Sequence, residues 1–413
     1  MDQGDKDESA SCSTARRIKE VMMNKRLVVV IGLVLFLAAG ALTAVAEEYV
    51  PGTPLKVGFV YVGPVTDYGW TAAHDQAREV CVNAFPWLET DIVETVEEGA
   101  EAAVIDRLVR EENCHVIVTC SFGFIWGTQE AALRYPDTIF FHCSGFLREA
   151  NMATYMADFY QIYYLNGLIA GALTETNKLG YIGAVPIPEV KRHISAFALG
   201  ARAVNPDAEV HVRWINAWVD EVAAAAATRA LIAEGCDAFA FTEDTATVVQ
   251  VAAESEFISF GHYSPMYVFS PEYCVSGQIA HWEAIYLDFI EKVYNGEYTA
   301  NNLKYVDYWW LLQEGGVEAG CDPGMVINPA WEDELRAITI DDPMLGTISI
   351  YDLVMVRLQQ MADPGISFDP FQGPVYDRKG TLRVPENCIL SFDGLTTMQW
   401  AAEGIVGPWP DEP

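Results

Sequence analysis

Aromatic and acidic side chains directly follow several apolar runs of this sequence, and their types suit the binding of a flat, polar ring. Residues 63–71 read GPVTDYGWT and follow the first such run, while Ser121 and Phe122 follow a later one. Stacking of a base on an aromatic ring is worth about 1–3 kcal/mol, and carboxylates accept hydrogen bonds from exocyclic amines. The residues that we predict to bind a ligand are Asp67, Tyr68, Trp70, Ser121, Phe122, Trp218, Asp244 and Trp282.

Structural roles compete with ligand binding at several of these positions. Asp67 can cap the helix that follows it by accepting free backbone N–H groups, and Asp244 can do the same for the next helix along the chain. Trp70 can be a core aromatic at the start of its helix, and Trp218 and Trp282 can pack in the core or at a hinge. The sequence is compatible with both roles at each position.

Catalytic and metal-binding patterns are weak by contrast. The chain contains no G-x-S-x-G, H-E-x-x-H, P-loop or G-x-G-x-x-G motif, and its 7 histidines are dispersed. His74 and Asp75 are adjacent in a predicted helix, so their side chains point about 100° apart and do not suit an acid/base pair. No two cysteines have the C-x-x-C spacing of zinc sites. We therefore predict a protein that is not an enzyme and that needs neither a metal nor a cofactor.

Composition and charge argue for a folded protein that does not bind nucleic acid. The 413 residues are 51% hydrophobic, which is enough for two α/β lobes of ordinary domain size. The formal net charge is −33, and the chain lacks the clustered Lys and Arg that phosphate binding needs. We attribute the acidity to adaptation to salt or to an acidic proteome rather than to one cationic ligand.

The order of apolar runs and amphipathic stretches predicts an α/β fold with two doubly wound, Rossmann-like lobes. Strands are predicted over 56–62, 91–96, 115–120 and 138–143, with helices over 71–84, 98–111 and 125–134. The pattern restarts with a helix over 160–174, strands over 179–183, 209–214, 238–242 and 257–260, and helices from 188 and over 220–234. No long linker separates the two sets, so we expect several short hinge crossovers.

We assign residues 54–157 and about 266–310 to the first lobe, and residues 158–265 and about 311–413 to the second. A hairpin is predicted around 375–380 in an otherwise irregular tail. Ligands bind open α/β sheets beyond the carboxyl ends of the strands, which is where the aromatic and acidic residues fall.

Residues 1–46 are predicted to be a leader with a secretory signal peptide, for which Met22 or Met23 is an alternative start. A basic start precedes the apolar run of residues 27–42, and the small-x-small pattern of residues 44–46 predicts cleavage before Glu47. The alternative is an uncleaved anchor, but the run is shorter than the roughly 20 residues of a membrane span. No cysteine follows the run closely, so we do not expect a lipoprotein. The predicted location is periplasmic or extracellular.

Eight cysteines follow the predicted leader, and export permits disulfides among them. Cys321 with Cys388 and Cys81 with Cys114 are conceivable pairs. Several of the eight lie in apolar strands, where buried free thiols are the commoner state.

The stretch 58–75 resembles the basic membrane protein family of ABC-transporter substrate-binding proteins, through Val62-Gly63-Pro64-Val65 and Asp67-x-Gly69-Trp70-Thr71. The chain is similar to that family's pattern over roughly residues 54–407. Further matching segments, in the same order, are 119–124, 157–160, 176–181, 186–190, 204–208, 371–374 and 400–407.

This resemblance implies a type I periplasmic-binding fold that closes around its ligand by hinge motion, with purine nucleosides or bases as ligands. The family's stacking aromatic falls on Trp70, and the pattern resembles relatives that take free bases such as adenine. Where many members carry an acidic residue after the fourth strand of the second lobe, residues 261–266 read GHYSPM. This departure favours a base over a nucleoside, because the acidic residue that would clamp ribose hydroxyls is absent from this segment.

These observations predict the monomeric, extracytoplasmic solute-binding component of an ABC importer, which delivers a purine-like small molecule to permease subunits in the membrane. A sugar-type or other small-molecule ligand is one alternative, and a chemosensory receptor role is another.

Overall fold

The computed structural model of the protein describes residues 48–366 and 368–412, so the predicted leader of residues 1–46 lies outside the described residues. Within those ranges, no helix is both long enough and apolar enough to cross a bilayer. Strands and helices alternate from the start, as β1 (Leu55–Tyr61), α1 (Trp70–Ala84), β2 (Leu88–Val93), α2 (Glu101–Arg110), β3 (Val116–Cys120), α3 (Ile125–Arg134), β4 (Ile139–Cys143) and β5 (Met152–Ala157).

The alternation continues through a second set of elements. The predicted bounds of the helix over 125–134 and the strand over 209–214 are those observed, and the other predicted elements up to residue 261 differ by one to three residues at an end. The second set comprises α4 (Tyr160–Leu173), β6 (Lys178–Gly183), α5 (Pro188–Val204), β7 (Glu209–Trp214), α6 (Glu221–Ala233), β8 (Ala238–Phe241), α7 (Thr247–Glu254), β9 (Ile258–Gly261) and β10 (Cys274–Ala280).

The remaining elements return to the first sheet and then complete the second. The hairpin predicted around 375–380 is present as an antiparallel pair. In chain order the elements are α8 (Trp282–Tyr294), β11 (Asp307–Trp310), β12 (Val317–Ala319), α9 (Pro329–Ala337), β13 (Thr339–Asp342), β14 (Gly346–Ser349), α10 (Ile350–Ala362), β15 (Val375–Tyr376), β16 (Leu382–Val384), α11 (Phe392–Thr396) and β17 (Ile405–Val406).

Two large sheets give the two doubly wound lobes. Among the described residues the first sheet has the order β11-β5-β4-β3-β1-β2, and each neighbouring pair is parallel. The second has the order β12-β10-β9-β8-β6-β7-β17 and is parallel except for the pair of β10 and β12. The strand order reverses beside β1 and beside β6, and such switch points are where open α/β sheets bind ligands.

The chain passes between the two sheets three times within the described residues. β5 leads through Asp158 and Phe159 into α4, which packs on the second sheet. β10 leads through His281 into α8, which packs on α1, and residues 311–316 join β11 to β12. The expectation of several short crossovers is therefore met, and such connections suit lobes that rotate about a hinge.

One predicted lobe boundary needs correction, because β10 belongs to the second sheet. We expected about 266–310 in the first lobe, yet β10 pairs with β9 and β12, and only α8 and β11 from that range join the first sheet. The sequence of β10, CVSGQIA, is buried throughout but contains Ser, Gly and Gln, so it lacks the apolar run that marked other strands. The Asn166 side-chain amide donates to Gln278 Oε1 at 2.8 Å, which satisfies one of these polar groups.

Glycines in α4 and α5 let the two helices pack with their backbones close together. A Cβ added at Gly167 would lie 2.2 Å from Phe197 O, and one at Gly200 would lie 2.0 Å from Tyr164 O. The contact fixes α5 against the second lobe, so the first turn of α5 is held at the cleft.

The cysteines of the described residues are free thiols, so neither conceivable disulfide is present. Cys388 is exposed, whereas the others are buried: Cys81, Cys114, Cys120, Cys143, Cys236, Cys274 and Cys321. Burial raises the pKa of Cys81 and of Cys114 to about 12, which is typical of inert structural thiols.

Candidate functional site

A narrow cavity lies between the two lobes where the strand ends of both sheets face each other. It has room for about one water molecule with the lobes in this position, and the free space around it, including its solvent-open part, is about 280 Å³. Its residues come from segments that follow β1, β3 and β4 in the first lobe and β6 to β9 in the second. They are Val62, Trp70, Ser121, Phe122, Ser144, Glu189, Trp218, Asp244 and Tyr263. Five of the eight predicted residues therefore come together here: Trp70, Ser121, Phe122, Trp218 and Asp244.

Trp70 forms one wall of the cavity and is held in a fixed orientation. It is the first residue of α1, and its indole Nε1 donates to Cys120 O at 2.7 Å. The rings of His74, Tyr263 and Trp282 contact it edge-on, with centroids 4.8, 5.1 and 5.1 Å away. A ring that is locked in this way loses little entropy when a ligand stacks on it.

Ser121 and Trp218 reach the cavity from different lobes and share one acceptor, Glu98. Glu98 Oε1 accepts from Ser121 Oγ at 2.6 Å, from the Gly123 backbone N–H at 3.0 Å and from Trp218 Nε1 at 3.2 Å. The carboxylate thus bridges the lobes and positions two cavity residues at once. Glu98 follows β2 in the loop before α2, but it was not among the predicted residues because it fell in the predicted helix over 98–111.

Asp244 brings a buried carboxyl group to the cavity. Its side chain is 1% exposed, and its Oδ1 has no hydrogen-bond partner among the described residues. Burial and the neighbouring carboxyls of Asp67 and Glu243 raise its pKa well above the usual value, and a hydrogen bond with the Trp70 backbone opposes this shift. The alternative role as a helix cap is not seen, because α7 has no side-chain cap.

Ser144 and Glu189 line the cavity but were not predicted. Ser144 follows β4 in the left-handed region, with φ of 59°, and Glu189 lies in the first turn of α5 beside Pro188. Ser144 Oγ donates to Glu189 Oε2, which joins the two lobes across the cleft. Their positions after β4 and β6 are the signal that would have found them.

Val62 and Tyr263 complete the cavity. Val62 directly follows β1, and Tyr263 follows β9 within the GHYSPM segment. Tyr263 is buried with a φ of 60°, and its ring packs on those of Trp70 and Phe159. An aromatic residue therefore occupies the region where an acidic residue was expected from the family pattern.

Three predicted residues lie outside the cavity. Asp67 is a helix cap, since Oδ1 accepts from Gly69 N at 2.8 Å and Ala72 N at 2.9 Å and Oδ2 accepts from Thr71 N at 3.0 Å. Tyr68 is 55% exposed, and its ring meets Phe269 of the other lobe edge-on. Trp282 is fully buried behind Trp70, where it stacks on His74 at 4.2 Å.

A wider space of about 1130 Å³, including its solvent-open part, adjoins the cavity and shares Phe122, Ser144 and Glu189 with it. Arg192 lines this space and is almost fully buried, and its Nε donates to Asp158 Oδ2 at 2.5 Å. The segment that contains α11 supplies another wall. No group of His, Cys, Asp and Glu in the described ranges has the arrangement of a metal site.

Comparison with known proteins identifies the family. Residues 55–339 match the family described as ABC transporter substrate-binding protein PnrA-like. This range includes every residue that lines the cavity. It ends before the segment that contains α11, which lines one side of the wider space.

Two relatives carry names with different ligands. A purine-binding protein of Brucella abortus is 39% identical over 68% of this chain and 78% of its own. A putative ABC transporter glucose-binding protein of Haloferax volcanii is 37% identical over 69% of this chain and 71% of its own.

A solved solute-binding protein of an ABC transporter system from Aeropyrum pernix confirms the fold. It is 15% identical with a TM-score of 0.64, over 78% of this chain and 94% of its own. The predicted type I periplasmic-binding architecture is therefore present. The chain belongs to the PnrA-like family of ABC transporter substrate-binding proteins, and it is a solute-binding protein rather than an enzyme.

Proposed function

We propose that this substrate-binding protein captures a purine base or nucleoside, with an adenine-like base favoured, in the cavity between its lobes. The observation that carries the proposal is the fixed indole of Trp70 beside the unpartnered carboxyl oxygen of Asp244. A flat heteroaromatic ring can stack on the Trp70 indole and form a hydrogen bond with the Asp244 carboxyl group.

The other cavity walls suit the same class of ligand. Phe122, Trp218 and Tyr263 add aromatic surface, and Ser121 and Ser144 add hydroxyl groups. The cavity residues include no lysine or arginine, so nothing in this lining is suited to a phosphate. We therefore propose a base or nucleoside rather than a nucleotide, with Trp70, Ser121, Phe122, Trp218 and Asp244 as ligand contacts.

Closure of the two lobes would trap the ligand. We propose that residues 54–157 and 282–310 form most of the first lobe and that residues 158–280 and 311–412 form most of the second. Ser144 with Glu189 and Trp218 with Glu98 are contacts between them that closure makes and opening breaks. The protein is proposed to act as a monomer, exported by its leader, that delivers the ligand to permease subunits.

A sugar ligand is the second candidate, and the wider space is the observation that favours it. Arg148 and Arg192 line this space together with Glu189, Asp307 and Asp393. Guanidinium groups beside carboxylates suit hydroxyl groups, which both donate and accept. The candidate loops at the strand ends lack such arginines, which is why we rank this ligand second.

A thermal-shift panel of adenine, adenosine, guanine, ribose and glucose would test the proposal on the protein from residue 47 onward. A ligand at 100 times its Kd should add about 2.7 kcal/mol to the free energy of unfolding if it binds only the folded state. We expect adenine or adenosine to raise the melting temperature. A shift with glucose or ribose and with no purine would contradict the purine proposal and favour the sugar.

A further inference from the structure

Asp244 is a buried acid with an oxygen that nothing in the described structure satisfies. The side chain is 1% exposed, Oδ1 is without a hydrogen-bond partner, and the residue lines the cavity. Buried polar atoms are nearly always paired in folded proteins, so an unpaired one in a ligand cavity indicates a bond that the ligand supplies.

The groups that most affect the charge of Asp244 are acidic or neutral. Asp67 approaches from the loop between β1 and α1, Glu243 is its neighbour in the chain, and Glu189 comes from the first turn of α5. Tyr263 also interacts with it, and the Trp70 backbone N–H donates a hydrogen bond to its carboxyl. None of these neighbours is a cation, and a buried charge without a counter-ion is far less stable than the neutral acid.

The carboxyl groups of Asp67 and Glu243, both neighbours of Asp244, differ in how many hydrogen bonds they accept. Asp67 accepts three backbone N–H groups at the start of α1, and these oppose the larger effect of burial, which raises its pKa. Glu243 accepts from the Thr245 hydroxyl at 2.9 Å and from the Thr245 backbone, and its Oε2 lacks a partner in the part of the chain described. Burial raises the pKa of Glu243 to about 8, so this residue also titrates and must be controlled for.

We infer that Asp244 binds the ligand in its protonated form, donating a hydrogen bond to a bare ring nitrogen and thereby favouring an aminopurine. This inference rests on the proposed purine ligand and concerns the same cavity. A neutral carboxyl group carries a donor on one oxygen and an acceptor on the other. The edge of adenine offers the complementary pair, an amino N–H beside a ring nitrogen that accepts. An ionised carboxylate only accepts, so it would suit the two adjacent N–H groups of guanine better.

Proton linkage gives the inference a measurable signature. If the ligand binds only the protonated form, the affinity for adenine is constant below the pKa of Asp244 and falls about tenfold per pH unit above it. The ratio of adenine affinity to guanine affinity falls over the same range.

Asp244→Asn provides the matched variant, because its amide keeps one donor and one acceptor at all pH values, and asparagine pairs with adenine in this way. Calorimetric titration of adenine across pH should show a falling affinity in the wild type and in Glu243→Gln. It should show a constant affinity in Asp244→Asn. Adenine's own ionisation is common to all three proteins and cancels in the comparison.

Proton uptake by the wild type gives a second readout that needs no variant. Titrations in buffers of different ionisation enthalpy should show a proton taken up on adenine binding above the pKa of Asp244. Adenine binding without proton uptake or pH dependence, or a falling affinity that persists in Asp244→Asn, would overturn the inference while leaving the purine proposal intact. Absence of any purine binding at any pH would instead overturn the proposed function.

Discussion

Gly69 of the first lobe lies directly against the backbone of Asp244 in the second. A Cβ added at Gly69 would lie 2.6 Å from Asp244 Cα and 2.8 Å from Asp244 C. Real Cβ atoms do not approach backbone atoms so closely, and backbone atoms cannot rotate away as a side chain can. The lobes can therefore meet at this point only because residue 69 is glycine.

We predict that Gly69→Ala impairs closure and lowers ligand affinity. The added methyl group must push the loop before α1 and the loop after β8 apart, which separates Trp70 from Asp244 across the cavity. Calorimetry should show weaker adenine binding, and small-angle scattering should show less compaction with ligand. Gly365→Ala, in an exposed loop, is the control and should bind normally. Unchanged affinity in Gly69→Ala would contradict closure at this contact.

The strand ends could be predicted from the sequence, but the neighbours of their side chains could not. Five predicted residues line the cavity, and each was predicted only because it lies in a segment that follows a strand: Trp70, Ser121, Phe122, Trp218 and Asp244. Whether such a residue faces the ligand or the protein depends on partners that are distant in sequence.

Asp67 and Trp282 illustrate this limit. Asp67 caps α1 through local backbone N–H groups, whereas Trp282 packs behind Trp70, more than 200 residues away in the chain. The lobe boundary near β10 was wrong for a similar reason, because buried Ser276 and Gln278 are satisfied by tertiary partners: Val326 O for Ser276, and Asn166 and His262 for Gln278. An apolar run in the sequence is enough to predict a buried strand. A buried strand that contains polar residues can be recognised only when the hydrogen-bond partners of those residues are known.

Trp70→Ala should weaken purine binding by about 1–3 kcal/mol if the indole stacks on the ring, which is a factor of about 5 to 150 in Kd. Calorimetry with adenine measures this change, and a chemical denaturation curve separates it from loss of stability. Trp126→Ala is the matched control, since Trp126 is 65% exposed and does not line the cavity. Equal Kd values for both variants would show that Trp70 acts only in packing.

Glu243→Gln should stabilise the protein increasingly as the pH rises. Burial raises the pKa of Glu243 from 4.5 to about 8, so the folded state binds a proton that the unfolded state has released between these values. The free energy of unfolding of the wild type therefore falls with pH over this window, by at most about 1.4 kcal/mol per pH unit for one proton. The pKa of Asp244 is also raised, so this residue likewise lowers the free energy of unfolding as the pH rises. That contribution is present in both the wild type and Glu243→Gln.

Urea denaturation of Glu243→Gln at a series of pH values measures this effect. Glu334→Gln, at an exposed position of α9 and not among the residues that shift the pKa of Glu243, serves as the control and should follow the wild type. A difference between Glu243→Gln and wild type that does not change between pH values of about 5 and 8 would contradict a raised pKa for Glu243.

His281→Gln should destabilise the hinge at neutral pH and lose its effect in alkali. His281 Nδ1 lies 2.7 Å from Glu283 Oε1 and Nε2 lies 2.8 Å from Glu318 Oε2, so the ring connects α8 to β12 at a crossover. The hydrogen bond with Glu283 and that with Glu318 raise the pKa of His281 to about 9, against desolvation by partial burial. The stabilisation is complete below about 6.5 and is lost as the pH rises through about 9.

The difference in unfolding free energy between wild type and His281→Gln measures this contribution. It should be largest near pH 6 and shrink above pH 9. His211→Gln offers a comparison on the second sheet, away from the crossovers. A pH-independent difference for His281→Gln would mean that the ring acts by packing rather than by charge.

A crystal structure of the protein grown with adenine would show directly where the ligand lies. We expect a purine ring stacked on Trp70, with its amino edge at the Asp244 carboxyl and the lobes in contact at Gly69. An empty cavity at saturating adenine, or adenine bound only in the wider space beside Arg192, would contradict this expectation.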